Sequence, residues 1–262
     1  MNNSKGIKRS NLRRASLVAI VLLLCVWMAN ILARQSQEGK AEPILQKKPK
    51  MGTQVNINAL LYETQKMSQK VNEMTLVWWI PEAFWRLSSA QDPTITASQV
   101  EELIKILRPY TLIVVVDGKM GPLGGITYRP EAAIRASIQI KDSEGTYYRP
   151  LSEDKVGANT RNLLSIMKPI FVNMSGLMGQ NAHFFLFPAK KKKGWKIADA
   201  KQSGGFSIKL GEKEFRWRLP LGSLLPPKIC PKCRENCSGA WNFCPWCGTR
   251  LPKIRVRAVS SR

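Results

Sequence analysis

Hydrophobic and polar positions divide this chain into two unequal parts near residue 34. From Ala15 to Ala33 (ASLVAIVLLLCVWMANILA) 19 consecutive positions carry no charged side chain; Lys5, Lys8, Arg9, Arg13 and Arg14 precede them and Arg34 follows. As a helix rising ~1.5 Å per residue the run spans about 28 Å, close to the hydrocarbon thickness of a bilayer. It predicts a transmembrane anchor at 15–33 behind a basic tail at 1–14. A cleaved signal segment is the alternative. The run is longer than the usual apolar stretch of a signal peptide, and neither Ile31-Leu32-Ala33 nor Trp27-Met28-Ala29 offers two small residues at a cleavage site, so we favour an uncleaved anchor. The cations of the tail favour a cytoplasmic N-terminus, with the bulk of the chain on the far side of the membrane.

Beyond the anchor the pattern changes period repeatedly. Residues 34–55 are polar and basic and read as a linker. Leu60, Leu61, Met67, Val71 and Met74 give 56–74 a helical spacing. The apolar stretch Thr75–Ile80 favours a strand, and Pro81 suits the start of a short helix. Ser98-Gln99-Val100-Glu101 has the form of a capping box, opening a helix with Val100, Leu103, Ile104 and Leu107 on one face. Tyr110–Asp117 (YTLIVVVD) is the strongest strand signal, and Asp117-Gly118 reads as its closing turn. Further strands are expected at 126–128, 136–142 and 183–189, with a short helix at 130–135. Residues 159–180 predict a helix interrupted at Pro169. The alternation in 206–210 and 215–219 predicts a hairpin around Gly211-Glu212-Lys213. Residues 56–221 therefore form an α+β domain, followed by a linker at 222–229, a small module at 230–252 and a basic tail at 253–262.

The small module carries the most specific chemistry. Cys230-Pro-Lys-Cys233 and Cys244-Pro-Trp-Cys247-Gly248 are two C-x-x-C pairs separated by ten residues. Each pair offers two thiolates from one tight turn, and the short spacer can return as a hairpin so that four sulfurs surround one tetrahedral metal ion. Gly248 supplies the left-handed backbone such turns often require. The pattern resembles the zinc-ribbon family over residues 228–252. That resemblance implies one structural zinc held by Cys230, Cys233, Cys244 and Cys247, and it implies no reaction, because a closed four-thiolate site has no open coordination position. In an oxidising compartment the same pairs could instead close as disulfides. Cys237, in the spacer, is left over.

Charge adds a class of partner. The chain has 41 Lys and Arg against 18 Asp and Glu, a formal net charge of +23. Such a surplus favours acidic partners: an acidic protein or envelope polymer, anionic lipid, or nucleic acid, the last only if the C-terminus is cytoplasmic. Trp241, Phe243 and Trp246 interleave with basic residues and lead to Lys253, Arg255 and Arg257. These aromatics suit base stacking, and equally suit a hydrophobic cover for the metal knuckle. Lys190–Lys193 reads as a solvated hairpin tip. In the cluster Trp78, Trp79, Phe84 and Trp85, neighbouring strand residues face opposite ways, so Trp78 and Trp79 cannot share one core layer. One is expected exposed, stacking on a ligand, glycan or peptide, or placed at an interface while the other packs in the core.

Enzymatic signatures are sparse. Asp117 ends an apolar strand before a glycine-rich loop, and His183 is the one histidine; these are the two candidates for an envelope enzyme. Asp117 has no second carboxylate nearby in sequence, and His183 directly precedes an apolar strand. Gly118-Lys-Met-Gly121-Pro-Leu-Gly124-Gly125 lacks the order of a phosphate-binding loop, and no serine sits in a nucleophile elbow. The sequence reading is therefore a membrane-anchored α+β protein with a C-terminal zinc ribbon, acting by binding or assembly at the cell envelope. Its rival is a membrane-tethered nucleic-acid-binding protein with a cytoplasmic ribbon.

Overall fold

Two long apolar runs pair with each other and organise everything else. In the computed structural model, which describes residues 56–68, 70–191 and 194–253, helix α1 (Ile57–Thr64) leads into strands β1 (Gln65–Met67) and β2 (Glu73–Ile80). Helices α2 (Glu82–Ser89) and α3 (Ala97–Leu107) follow, then the 11-residue strand β3 (Tyr110–Met120), β4 (Ile126–Tyr128), helix α4 (Glu131–Ser137), β5 (Ile138–Lys141) and β6 (Tyr147–Tyr148). Helix α5 (Ala158–Gln180), β7 (His183–Pro188), β8 (Gly204–Leu210) and β9 (Lys213–Leu219) complete the body, and β10 (Lys228–Ile229) and β11 (Asn236–Cys237) belong to the C-terminal module.

The first sheet runs β1-β2-β3-β4, with β7 on the same edge of β3 as β4 but at its other end. The second sheet runs β6-β5-β8-β9. Every pairing is antiparallel. Sheet one is covered on both faces. On one face Trp78 meets Phe84 of α2 edge-on at 5.2 Å and Phe171 of α5 at 6.1 Å. On the other, Trp79 meets Phe206 of sheet two edge-on at 4.9 Å, and Phe206 stacks on Trp217 at 5.0 Å. The result is three layers: helices, sheet one, sheet two. Burial on both faces explains why β3 is apolar almost without alternation. It also explains why Trp78 and Trp79 point opposite ways and yet are both buried; neither reaches the surface.

Several local expectations are corrected. The helix expected over 56–74 stops at Thr64, whose hydroxyl donates back to the Leu60 carbonyl at 2.8 Å. The following residues are drawn into sheet one, with Gln65 opposite Trp78. The capping box is Thr96–Gln99 rather than Ser98–Glu101: the Gln99 N–H donates to the Thr96 hydroxyl at 3.3 Å and the Thr96 N–H to the Gln99 side chain at 2.8 Å. Asp117-Gly118 is no turn. β3 runs on to Met120, and Gly118 sits where β4 crosses so closely that a Cβ would lie 2.9 Å from Ile126. The turn comes later, with Gly121 N–H bonded to the Gly125 carbonyl. Helix α5 runs through Pro169, and its non-helical residue is Gly176 (φ 52, ψ −127). Residues 222–224 form a short 3-10 turn rather than a free linker.

The fold class also changes. The described residues form a mixed α+β fold, and no helix among them is long and apolar enough to cross a membrane. Even the 23-residue α5 is amphipathic, with Leu163, Met167 and Phe171 buried against the body and Arg161 and Lys168 exposed. A transmembrane helix is accordingly removed from the description of the fold. The segment 15–33 on which it was expected lies outside the described residues, as do the tails at 1–14 and 254–262 and the linker at 34–55.

Candidate metal centre

The two C-x-x-C segments fold into matching knuckles. In the first, the Arg234 N–H returns to the Cys230 carbonyl at 3.0 Å and the Cys230 N–H reaches the Glu235 carbonyl at 3.0 Å. In the second, the Gly248 N–H returns to the Cys244 carbonyl at 2.9 Å and the Cys244 N–H reaches the Thr249 carbonyl at 2.8 Å. Each turn needs a left-handed residue just after its second cysteine. Gly248 (φ 70) meets that need without strain, while Arg234 (φ 62) adopts it as a non-glycine. The pair β10–β11 closes the base of the first knuckle, and the bridge between Phe243 and Arg250 closes the base of the second.

Four sulfurs converge as a result. Cys230 Sγ lies 3.5 Å from Cys247 Sγ and Cys233 Sγ lies 3.5 Å from Cys244 Sγ. All four lie within 4.8 Å of one another, and all are free thiols. Four sulfurs at about 2.3 Å from a tetrahedral ion would sit about 3.8 Å apart, so the cluster needs only small adjustment to close on a metal. Cys230 and Cys244 are buried and Cys233 and Cys247 half-buried.

The electrostatics favour a cation at the centre. The Thr249 hydroxyl and N–H draw the Cys247 thiol down to about 6. At Cys233 the Glu235 N–H favours the thiolate, but burial and the three neighbouring sulfurs outweigh it and push the thiol up to about 12. At Cys244 burial opposes the thiolate, but the Cys247 and Trp246 N–H groups outweigh it and hold the thiol below its ordinary value. Cys247 and Cys244 are thus both drawn down, while Cys233 is opposed by its neighbours. A divalent cation reverses that opposition and displaces the remaining protons as it binds. Cys237 stands apart: buried, with its sulfur 3.6 Å from the Glu235 carbonyl, it is pushed up to about 11 by burial first and then by the adjacent cysteines.

The module is fastened to the body. The Glu63 carboxylate on α1 accepts from the N–H of Gly222 (2.8 Å), the N–H of Ser223 (2.9 Å) and the Ser223 hydroxyl (2.5 Å). Ser238 and Ala240 of the module pack where a Cβ on Gly222 would be, and Lys228 Nζ donates to the Trp241 carbonyl at 2.6 Å. Sequence reasoning found the thiols from their spacing alone. It missed Glu63, whose partners lie about 160 residues away in the chain.

The other sequence candidates fall in different places. Trp241, Phe243 and Trp246 are exposed at 44%, 60% and 69% and so do not cover the knuckle; Leu251, at 4%, does. Lys253 is exposed, and Arg255 and Arg257 lie outside the described residues. Trp85, like Trp78 and Trp79, is buried. Lys191 is no free hairpin-tip charge, since its ammonium pairs with Glu144 at 2.9 Å and Asp142 at 3.3 Å.

Asp117 and His183 are not brought into a common site. Asp117, 1% exposed at its side chain, accepts from Thr75 (2.6 Å), Lys213 (2.9 Å) and Arg129 (2.8 Å). Burial alone would raise its pKa, but those three donors outweigh it and hold the carboxyl below the usual range. The arrangement ties β2 and β3 of sheet one to β9 of sheet two and leaves no free oxygen for a reaction. His183 is held below its ordinary pKa by burial; Glu131, at 3.5 Å, pulls the other way, and its Nδ1 makes no hydrogen bond. Neither residue lines the cleft that opens between α2, α3 and the segment 196–202.

Comparison with known proteins finds no matching family model, no matching curated protein and no matching solved structure. What the geometry shows is a four-cysteine cluster able to hold a metal ion, on a module docked to a three-layer α+β body.

Proposed function

We propose that this chain is a zinc-stabilised binding protein whose C-terminal ribbon presents a basic, aromatic surface to an acidic protein partner. The convergence of four thiols within 4.8 Å carries the reading. Four thiolates in a closed tetrahedral set suit zinc, and with no coordination position left for water the metal's role is structural. The ribbon it stabilises is small, and its apolar cluster consists of cysteines and Leu251. Its large aromatic residues face outward instead, beside Ile229, Lys232, Arg234 and Arg250, all exposed. A surface of that composition resembles the anchor-and-rim arrangement of protein interfaces, with charge complementarity selecting an acidic partner.

The experiment is to purify the full chain without reductant and measure zinc per chain and reactive thiols, beside Cys244→Ser. One zinc per chain, with thiols that become reactive only after chelation, is expected for the wild type. The variant should lose the zinc and become protease-sensitive at the ribbon while the body stays intact. No metal and few free thiols in the wild type, or full zinc in the variant, would refute the assignment.

A further inference from the structure

A cleft of about 720 Å³ lies at the end of sheet one where β2 finishes and β3 begins. α2 and α3 form one wall. The other is the segment 196–202, which folds back as a strap: the Ile197 N–H bonds to the Ala189 carbonyl and the Leu221 N–H to the Ala200 carbonyl, each at 2.9 Å. Ile197 and Ala200 are buried beneath the strap, so it is pinned at two points. The floor is apolar, with Trp85, Leu107, Leu112 and Leu224. A volume of this size falls within the roughly 300–1,000 Å³ typical of small-molecule sites, and every wall belongs to an anchored element.

Charge at the mouth is unbalanced. Four cations line the cleft, Arg86, Arg108, Lys196 and Lys201, against two carboxylates, Glu82 and Asp199. Arg86 is held by Glu82 at 2.7 Å and by Glu101, and Lys196 lies 3.4 Å from Asp199. Those contacts neutralise both lining carboxylates. Arg108 keeps only a 3.8 Å approach to Glu101, at 55% side-chain exposure, and Lys201 makes no side-chain ion pair among the described residues. Two little-compensated cations on opposite walls above an apolar floor form a receptor for one kind of molecule. We propose that this cleft binds a small amphipathic anion, a carboxylate, sulfonate or phosphate carried on a flat apolar body. The site is independent of the ribbon and of its metal.

The test uses the full chain and 8-anilinonaphthalene-1-sulfonate, whose fluorescence rises on transfer to an apolar site and whose sulfonate supplies the anion. Saturable binding of one probe per chain is expected at the cleft. Arg108→Glu with Lys201→Glu should weaken it roughly tenfold or more, because charge-assisted contacts are replaced by repulsion. Both side chains are exposed, so the fold should survive their exchange. Ala198→Trp, which fills the cleft without altering its charge, should abolish binding. The uncharged analogue N-phenyl-1-naphthylamine should bind at least roughly tenfold more weakly than the sulfonate. Unchanged binding in both variants overturns the proposal. So does equal affinity for the uncharged analogue, or loss of binding only when Trp241, Phe243 and Trp246 are changed to Ala.

Discussion

Replacing Asp117 by Asn tests the tie between the two sheets with almost no change of shape. The carboxylate receives Thr75 and Lys213 on one oxygen and Arg129 on the other, all at 2.6–2.9 Å and all as donors. An amide can offer its oxygen to only one side, so its NH2 must face either Lys213 and Thr75 or Arg129. Removing one partner of a buried charge network costs about 3–5 kcal/mol. The lower end applies here, because the stranded cations keep other partners. Lys213 retains Glu73 at 3.3 Å, and Arg129 retains the Ala133 carbonyl at 2.9 Å and Ser137 at 3.0 Å. For a body of this size about 3 kcal/mol lowers the melting temperature by roughly 6–12 °C. Tryptophan fluorescence can follow the melt, since Trp79 and Trp217 lie between the sheets. The pH dependence supplies a second check. The folded-state pKa of Asp117 is depressed, so its stabilisation is present above the unfolded value of about 4 and is lost as pH falls through the folded value. The gap between wild type and variant should therefore be full at neutral pH and close in strong acid. An unchanged melting temperature, or a gap that persists undiminished into strong acid, would show that Asp117 does not hold the sheets together.

Three further outcomes are expected. Gly222→Val should destabilise the ribbon–body junction by about 1–3 kcal/mol, because the added carbon falls 2.4 Å from Ser238 Oγ and 2.9 Å from Glu63; faster proteolysis at 222–229 with metal content retained is the readout. Glu63→Gln should loosen the same junction by about 1.5–3 kcal/mol through loss of its charge-assisted bonds to Gly222 and Ser223. Hydrogen exchange at those two amides measures it. Cys237→Ser should leave the metal stoichiometry unchanged, since the convergent set comprises the other four cysteines; loss of the metal would place Cys237 among the ligands.

What could be read from the sequence follows the range of the interactions. The knuckles are local, and C-x-x-C turns with a glycine after the second pair carry their geometry in a few adjacent residues. The pairing runs of β2 and β3 were visible as apolar stretches, and the hairpin β8–β9 as alternation around Gly211. The end of β3 was not, because Asp-Gly looks like a turn until Lys213, 96 residues on, supplies the charge that lets Asp117 remain inside a strand. Trp79 was likewise ambiguous. Strand periodicity says that it opposes Trp78, but not that a second sheet waits on its side. The α1 pattern failed for a related reason: helical spacing continues past Thr64, yet the pairing of Gln65–Met67 with β2 overrides it.

The two parts of the described chain rest on different physics, and the junction between them follows from that difference. The body buries a continuous cluster from Ile57 to Leu221, large enough to order it without help. The C-terminal module buries three cysteines and Leu251, little apolar area to hold two knuckles in place, and a metal on the four clustered thiols would supply the missing stabilisation. A module of this kind on a flexible tether would present its aromatic face in every direction. Here the Glu63 carboxylate grips the chain at Gly222 and Ser223, seven residues before Cys230, the first cysteine of the cluster, at its nearest point. With Ser238 and Ala240 packed over Gly222, the ribbon has one orientation on the body. On the function proposed above, a partner held by Trp241, Phe243 and Trp246 would be held at a defined angle to the α+β body. On the same proposal, mutating the clustered cysteines would remove that surface while leaving Glu63 and the core behind it in place.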